Sequence, residues 1–143
     1  MAKKKNMEKT YEELVEVLSC KAEVEEAHGK ESKFYYAMSR VVDRITSATK
    51  KINKETSRKM RDIAVELASV DKQGNLIVEK ESYKFTVENQ KEYDKQLDDL
   101  MDKRDAMKFD IEPYIMKDYP VLTARQERVF EGLLIPTKIN SNE

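Results

Sequence analysis

Tryptophan is absent, and cysteine and histidine occur once each, as Cys20 and His28. A lone cysteine excludes an internal disulfide and a cysteine-based zinc cluster. It suits a reducing compartment. A nucleophile–base system needs a base beside its Ser, Thr or Cys. On one helix Cys20 and His28 would stand about 12 Å apart at 1.5 Å per residue, so they do not meet. Glycine is scarce too. Its three positions, 29, 74 and 132, are too scattered for a phosphate-cradling loop. No apolar run approaches the roughly 18 residues of a membrane span. "MAKKKNMEK" starts basic but has no apolar run behind it, so a secretory signal is not expected. Residues 1–9 read instead as a flexible basic tail.

What the chain does hold is charge. Charged residues are 38% of its 143 and apolar ones 39%. Usual values are about 25% and about 45–50%. A Gly-poor, highly charged chain with scattered apolar residues reads as long amphipathic helices with much exposed surface. The net charge is −1, from 27 basic and 28 acidic groups. Residues 1–71 sum to +2 and the rest to −3, which is too little asymmetry to define a partner.

"TYEELVEVLSCKAEVEEAHGK" reads as a first helix. Thr10 and Glu13 form a capping box. Tyr11, Leu14, Val15, Leu18 and Ala22 share a face. Gly29 suits the left-handed position past the last turn. His28, just before it, meets the negative helix end. From Ser32 to Ser69 there is neither Gly nor Pro. Phe34, Met38, Val41, Ile45, Ala48 and Ile52 keep a coiled-coil-like spacing. The seam resumes at Met60, Ile63 and Leu67. Its phase slips by one between Ile52 and Met60, as a stutter, bend or break would make it do. A continuous helix here would span roughly 57 Å, and helix 1 is too short to cover it.

After "ASVD" the pattern changes. "DKQGN" is a turn. "LIVEKESYKFTV" offers two short strands, about Leu76–Glu79 and Tyr83–Thr86. Thr86 caps a third helix whose narrow stripe is Tyr93, Leu97, Leu100 and Met101. "MKFDIEPYIM" alternates, with Phe109 and Ile111 on one face and Asp110 and Glu112 on the other. Pro113 ends that ladder. Pro120 turns the chain, leaving Tyr114 and Tyr119 without an assigned role. Thr123 and Gln126 box the last helix. Gly132 ends it early and Pro136 forbids its continuation. The expected fold is α+β and mostly helical. A long helical hairpin over 10–70 is followed by a small antiparallel sheet with two helices over 71–136, in the same domain. A polar tail covers 137–143.

Several side-chain groups are candidates for chemistry. Asp94, Asp98, Asp99 and Asp102 cluster on the third helix, but without a nearby His or backbone carbonyls they read as a solvated face rather than a metal site. Asp110 and Glu112 could form an acid–base pair. Outward acids on an edge strand more simply guard against aggregation. Lys50, Lys54, Arg58 and Arg61 share a helix face within a run of six basic groups and one acid. With Lys51, and with Arg125 and Arg128 on the last helix, they are the candidate nucleic-acid-binding residues. No aromatic is interleaved there in sequence to stack on bases.

"YKFTVENQKEYDKQLDDLMD" and "FDIEPYIMKDYPVLTARQERVFEGLLIP" carry an aromatic-Lys-Phe-Thr strand entering a helix, then an "EPY" strand and a Thr-capped helix ending in "FEGLLI". This pattern, over about residues 83–136, resembles a family of small tailed-phage and prophage proteins of unknown function. The resemblance implies a phage or mobile-element origin and a bacterial cytoplasm, with virion association as an alternative. It carries over no active residue.

The expected function is therefore non-enzymatic: a protein-interaction, assembly or accessory protein, or an inhibitor of a host protein. No cofactor or metal is expected. The interaction seam is Phe34, Met38, Val41, Ile45, Ile52, Met60, Ile63 and Leu67, closed by a second copy or another protein. The alternative is a nucleic-acid or nucleotide binder using the basic face. The location expected is cytoplasmic, away from the membrane.

Overall fold

The Gly- and Pro-free segment forms one uninterrupted helix, α3 (Lys33–Leu67). Its 35 residues span about 52 Å. Ser32 starts it. The Ser32 hydroxyl accepts from the Tyr35 N–H at 3.0 Å and donates to the Gly29 carbonyl at 2.8 Å. The phase slip between Ile52 and Met60 marks no interruption, since the helix runs through both. Thr49 and Thr56 are buried, and Ala48 is exposed. The stripe therefore runs 34, 38, 41, 45, 49, 52, 56, 60, 63 and 67. Its mean step is close to the 3.6 residues per turn of a straight helix, with no supercoil register to slip. The Thr49 hydroxyl donates to the Ile45 carbonyl at 2.8 Å, so its burial leaves no unmet donor.

The structure, a computed structural model, describes residues 6–117 and 121–136. The expected tail residues 1–5 and 137–143, with Tyr119 and Pro120, lie outside them. Two compact units divide the chain, 1–50 with 106–143 and then 51–105. The boundary falls inside α3 rather than near residue 70. The fold is α+β and mostly helical.

In the larger unit the expected first helix is two. α1 (Tyr11–Ser19) and α2 (Lys21–His28) are offset at Cys20. The Cys20 N–H turns back to the Val17 carbonyl at 3.1 Å, and its carbonyl accepts from Val24. The Thr10–Glu13 capping box is present. Gly29 adopts positive φ, at 82° with ψ 154°, an extended conformation rather than the left-handed helical one expected. His28 packs edge-on to Phe34 at 5.0 Å.

The expected basic tail is structured from Met7 onward. β1 (Met7–Thr10) pairs antiparallel with β4 (Lys108–Ile111), with Met7 opposite Ile111. Ile111 is buried, Phe109 half-buried, and Asp110 and Glu112 exposed, the expected alternation. After Pro113, β5 (Tyr114–Met116) pairs in parallel with β6 (Leu134–Pro136), around α5 (Ala124–Phe130). The strands thus make three separate two-stranded pairings rather than one antiparallel sheet. Arg44 secures the β4–β5 break. Its guanidinium donates to the Glu112 carbonyl at 3.1 Å and to the Pro113 carbonyl at 2.9 Å, and lies over the Tyr114 ring at 5.7 Å. The core joins Leu14, Val17, Phe34, Met38, Ile111 and Phe130 with their neighbours, all from this unit. Each large side chain so buried contributes about 1.5–3 kcal/mol.

The smaller unit starts with the second half of α3. Gly74 (φ 85°) takes a tight turn, and the Asp71 carboxylate accepts from the Gln73 and Asn75 N–H groups. A hairpin follows, β2 (Val78–Glu79) and β3 (Ser82–Tyr83), shorter than expected. Its two turn residues, Lys80 (φ 48°) and Glu81 (φ 67°), are both left-handed without being glycine. α4 (Val87–Asp105) is capped by Thr86, whose hydroxyl accepts from the Asn89 N–H. The Asn89 amide donates in turn to the last α3 carbonyl, Leu67, at 2.9 Å.

Candidate functional site

The eight seam residues have two fates. Phe34, Met38, Val41 and Ile45 are sealed in the core of the larger unit. Ile52, Met60, Ile63 and Leu67 are only half-buried in the smaller one. The Tyr93, Leu97, Leu100 and Met101 stripe of α4 is half-buried as well. Across residues 51–105 only Thr56 (4% exposed) and Ala64 (7%) are buried. No large apolar side chain is fully covered in that unit, while Val78 is 58% and Val87 75% exposed.

Charge is divided on the same unit. The α3 segment Lys51–Leu67 carries five basic and three acidic residues. α4 carries seven acidic and four basic ones. Lys51, Lys54, Arg58 and Arg61, with Lys50 just before them, are exposed on α3. On α4 the exposed charges include Asp94, Asp98, Asp99 and Asp102.

Arg125 and Arg128 sit on α5 of the larger unit, engaged with acids of α1 and α2. Arg125 pairs with Glu23, and also donates to the Ser19 hydroxyl at 3.0 Å and the Cys20 sulfur at 3.2 Å. Arg128 lies 3.9 Å from Glu16. Burial, together with the Glu23 carboxylate beside it, pushes the Cys20 thiol pKa up.

Asp110 and Glu112 share a shallow cleft of about 500 Å³ with Arg40, Asp43 and Arg44. Glu112 lies 3.7 Å from Arg44. No tyrosine is among that cleft's described lining. A second cleft of the larger unit, about 620 Å³, is lined by Lys30, Lys33, Lys117, Tyr36 and Tyr114. Among the described residues no group of three His, Cys, Asp or Glu could hold a metal ion. Nor is any helix long and apolar enough to cross a membrane.

The cleft that sequence spacing did not suggest is in the smaller unit. It measures about 640 Å³, and Met60, Arg61, Ala64, Val78, Tyr83, Phe85 and Tyr93 line it. Phe85 and Tyr93 stack with centroids 5.1 Å apart and planes at 22°. The aromatics missing from the basic run in sequence are thus supplied in space by the hairpin and α4. Their own alternation, Tyr83 and Phe85 on one strand face, was the available clue.

No family model, curated protein or solved structure matches this chain.

Proposed function

We propose that the protein is a non-enzymatic interaction or assembly protein, and that residues 51–105 bind a second copy of the chain. The observation that carries this reading is the unclosed core of that unit. A domain of such size ordinarily depends on burying its few large apolar side chains, and here every one remains partly in water. The charges favour a second copy as the cover. An isologous dimer places each patch against its counterpart twice. The basic α3 segment of one copy then faces the acidic α4 of the other. Such complementarity sets orientation and association rate more than affinity, and the apolar contacts hold the pair. The resemblance of residues 83–136 to tailed-phage proteins would set this assembly in a phage or mobile-element context.

Sedimentation equilibrium at micromolar concentration tests the reading. The expected result is a dimer that weakens on reversing Lys54, Arg58 and Arg61 to Glu. It should reform when Asp98, Asp99 and Asp102 are also reversed to Lys in the same chain. A monomer at every concentration refutes the self-association. A dimer indifferent to both charge sets refutes the orientation.

A further inference from the structure

The 640 Å³ cleft of the smaller unit combines aromatic rings with Arg61, a residue that the proposed dimer face draws on as well. Its floor is aromatic and thioether. Tyr83, Phe85 and Tyr93 line it with Met60, and the Phe85–Tyr93 pair is already stacked. Arg61 stands in the lining, and Gln90 and Ser82 add polar groups to it. Glu81 is its one acid. The volume is that of a small-molecule site, mostly apolar with a few polar groups to orient the occupant. From Arg61 the exposed cations Arg58 and Lys54 lie three and seven residues back on one α3 face.

We infer that this cleft takes a nucleotide, with its base against the Tyr83–Phe85–Tyr93 surface and its phosphate at Arg61. Any base offers a π-face to such a surface, and arginine pairs with phosphate oxygens through two N–H groups. An isolated basic helix face attracts phosphate without holding a base, and an isolated apolar cleft repels the phosphate. Their adjacency selects a ligand that carries both. The same chemistry belongs to a free mononucleotide and to one residue of a single strand. In the strand, Arg58 and Lys54 would meet the following phosphates. Duplex bases are already stacked on one another, so a duplex is excluded from the floor.

Fluorescence anisotropy with a labelled single-stranded oligodeoxythymidylate at low salt provides the test, with unlabelled mononucleotide as competitor. Saturable binding is expected. Arg61→Gln and Tyr93→Leu should each weaken it at least about tenfold, and Glu81→Gln should tighten it. Competition by mononucleotide at a similar concentration identifies the free nucleotide as the source. Competition only by oligonucleotide identifies the strand. Arg61 is exposed, so its substitution leaves the fold intact. Circular dichroism checks the Tyr93 variant, and an abasic oligonucleotide tests stacking on the unaltered protein. Equal binding of the abasic strand, equal binding of duplex, or no binding by either probe at low salt overturns the assignment. Sedimentation of the unliganded protein reads assembly separately, so a monomer that binds nucleotide would sink the assembly reading alone.

Discussion

Replacing Lys80-Glu81 with Asn-Gly should strengthen the hairpin of the smaller unit. A two-residue hairpin turn with both central φ values positive is the mirror-image type, for which Asn-Gly is the favoured pair. The protein places Lys80 at φ 48° and Glu81 at φ 67°. A left-handed conformation costs an ordinary L-residue about 1–2 kcal/mol. Glycine relieves that cost at position 81 but gives back about 0.4–1 kcal/mol through a more flexible unfolded chain. Asparagine at position 80 recovers a further part. The net gain expected is about 0.5–1.5 kcal/mol. Native-state hydrogen exchange reads it at the hairpin itself. The Lys84 N–H donates to the Ile77 carbonyl at 2.9 Å, and the Ile77 N–H to Ser69 at 3.2 Å. Both amides should exchange about two- to twelvefold more slowly, if they open with the hairpin. A Lys80→Ala/Glu81→Ala control removes the same charges without relieving the backbone and should slow neither. Unchanged or faster exchange at Ile77 and Lys84 in the Asn-Gly variant would refute the strain argument.

Other substitutions probe the larger unit. Gly132 has φ 75°, and an added Cβ would stand 2.7 Å from the Met7 Cε and 2.8 Å from its sulfur. Gly132→Ala should lose about 1–2 kcal/mol to backbone strain and more to the displaced Met7. A double-mutant cycle with Met7→Ala isolates the second part, and a denaturation midpoint equal to wild type contradicts both. Glu13 has a pKa held below the ordinary carboxylate range, first by the Thr10 backbone N–H and also by the Thr10 hydroxyl. Its contribution is present above the unfolded carboxylate's pKa of about 4.3 and fades as pH falls through the lower folded value. Glu13→Ala should therefore destabilise at neutral pH and much less in acid. A pH-independent difference in urea midpoint would count against this. Cys20 is fully buried with its thiol pKa raised. Alkylation should wait on opening of the fold and speed up with denaturant, whereas rapid labelling of the native protein would contradict the burial.

The helices were legible because their apolar spacing and caps are local. The capping boxes at Thr10 and Thr123 and the helical character of α3 could be read directly. The apparent phase slip, which left the continuity of α3 open, came from treating Thr49 and Thr56 as polar, when a threonine bonded to its own helix, as Thr49 is, can occupy an apolar stripe. The break at Cys20 has no Gly or Pro to mark it. β1 was hidden for a different reason. "MEKT" has little strand character of its own, and its partner at Lys108–Ile111 is about a hundred residues away. The aromatic cleft of the smaller unit was illegible for the same reason, since Arg61 and Tyr93 come to line it together only through the fold. The candidate basic residues on α3 were visible as a charge run. That Arg125 and Arg128 were committed to Glu23 and Glu16 was not.

The β1–β4 ladder has a consequence for how this chain tolerates change. It joins the segment that leaves at Lys50 to the segment that returns at Ala106, so residues 51–105 form a parenthesis within a clasped sentence. A nick at the Lys80-Glu81 tip would leave two fragments still fastened by Met7–Thr10 on Lys108–Ile111. Evolution could lengthen, trim or replace what the parenthesis encloses while the clasp preserves the surrounding text. The part of the molecule most free to acquire a new ligand is thus the part whose loss the larger unit is best equipped to survive.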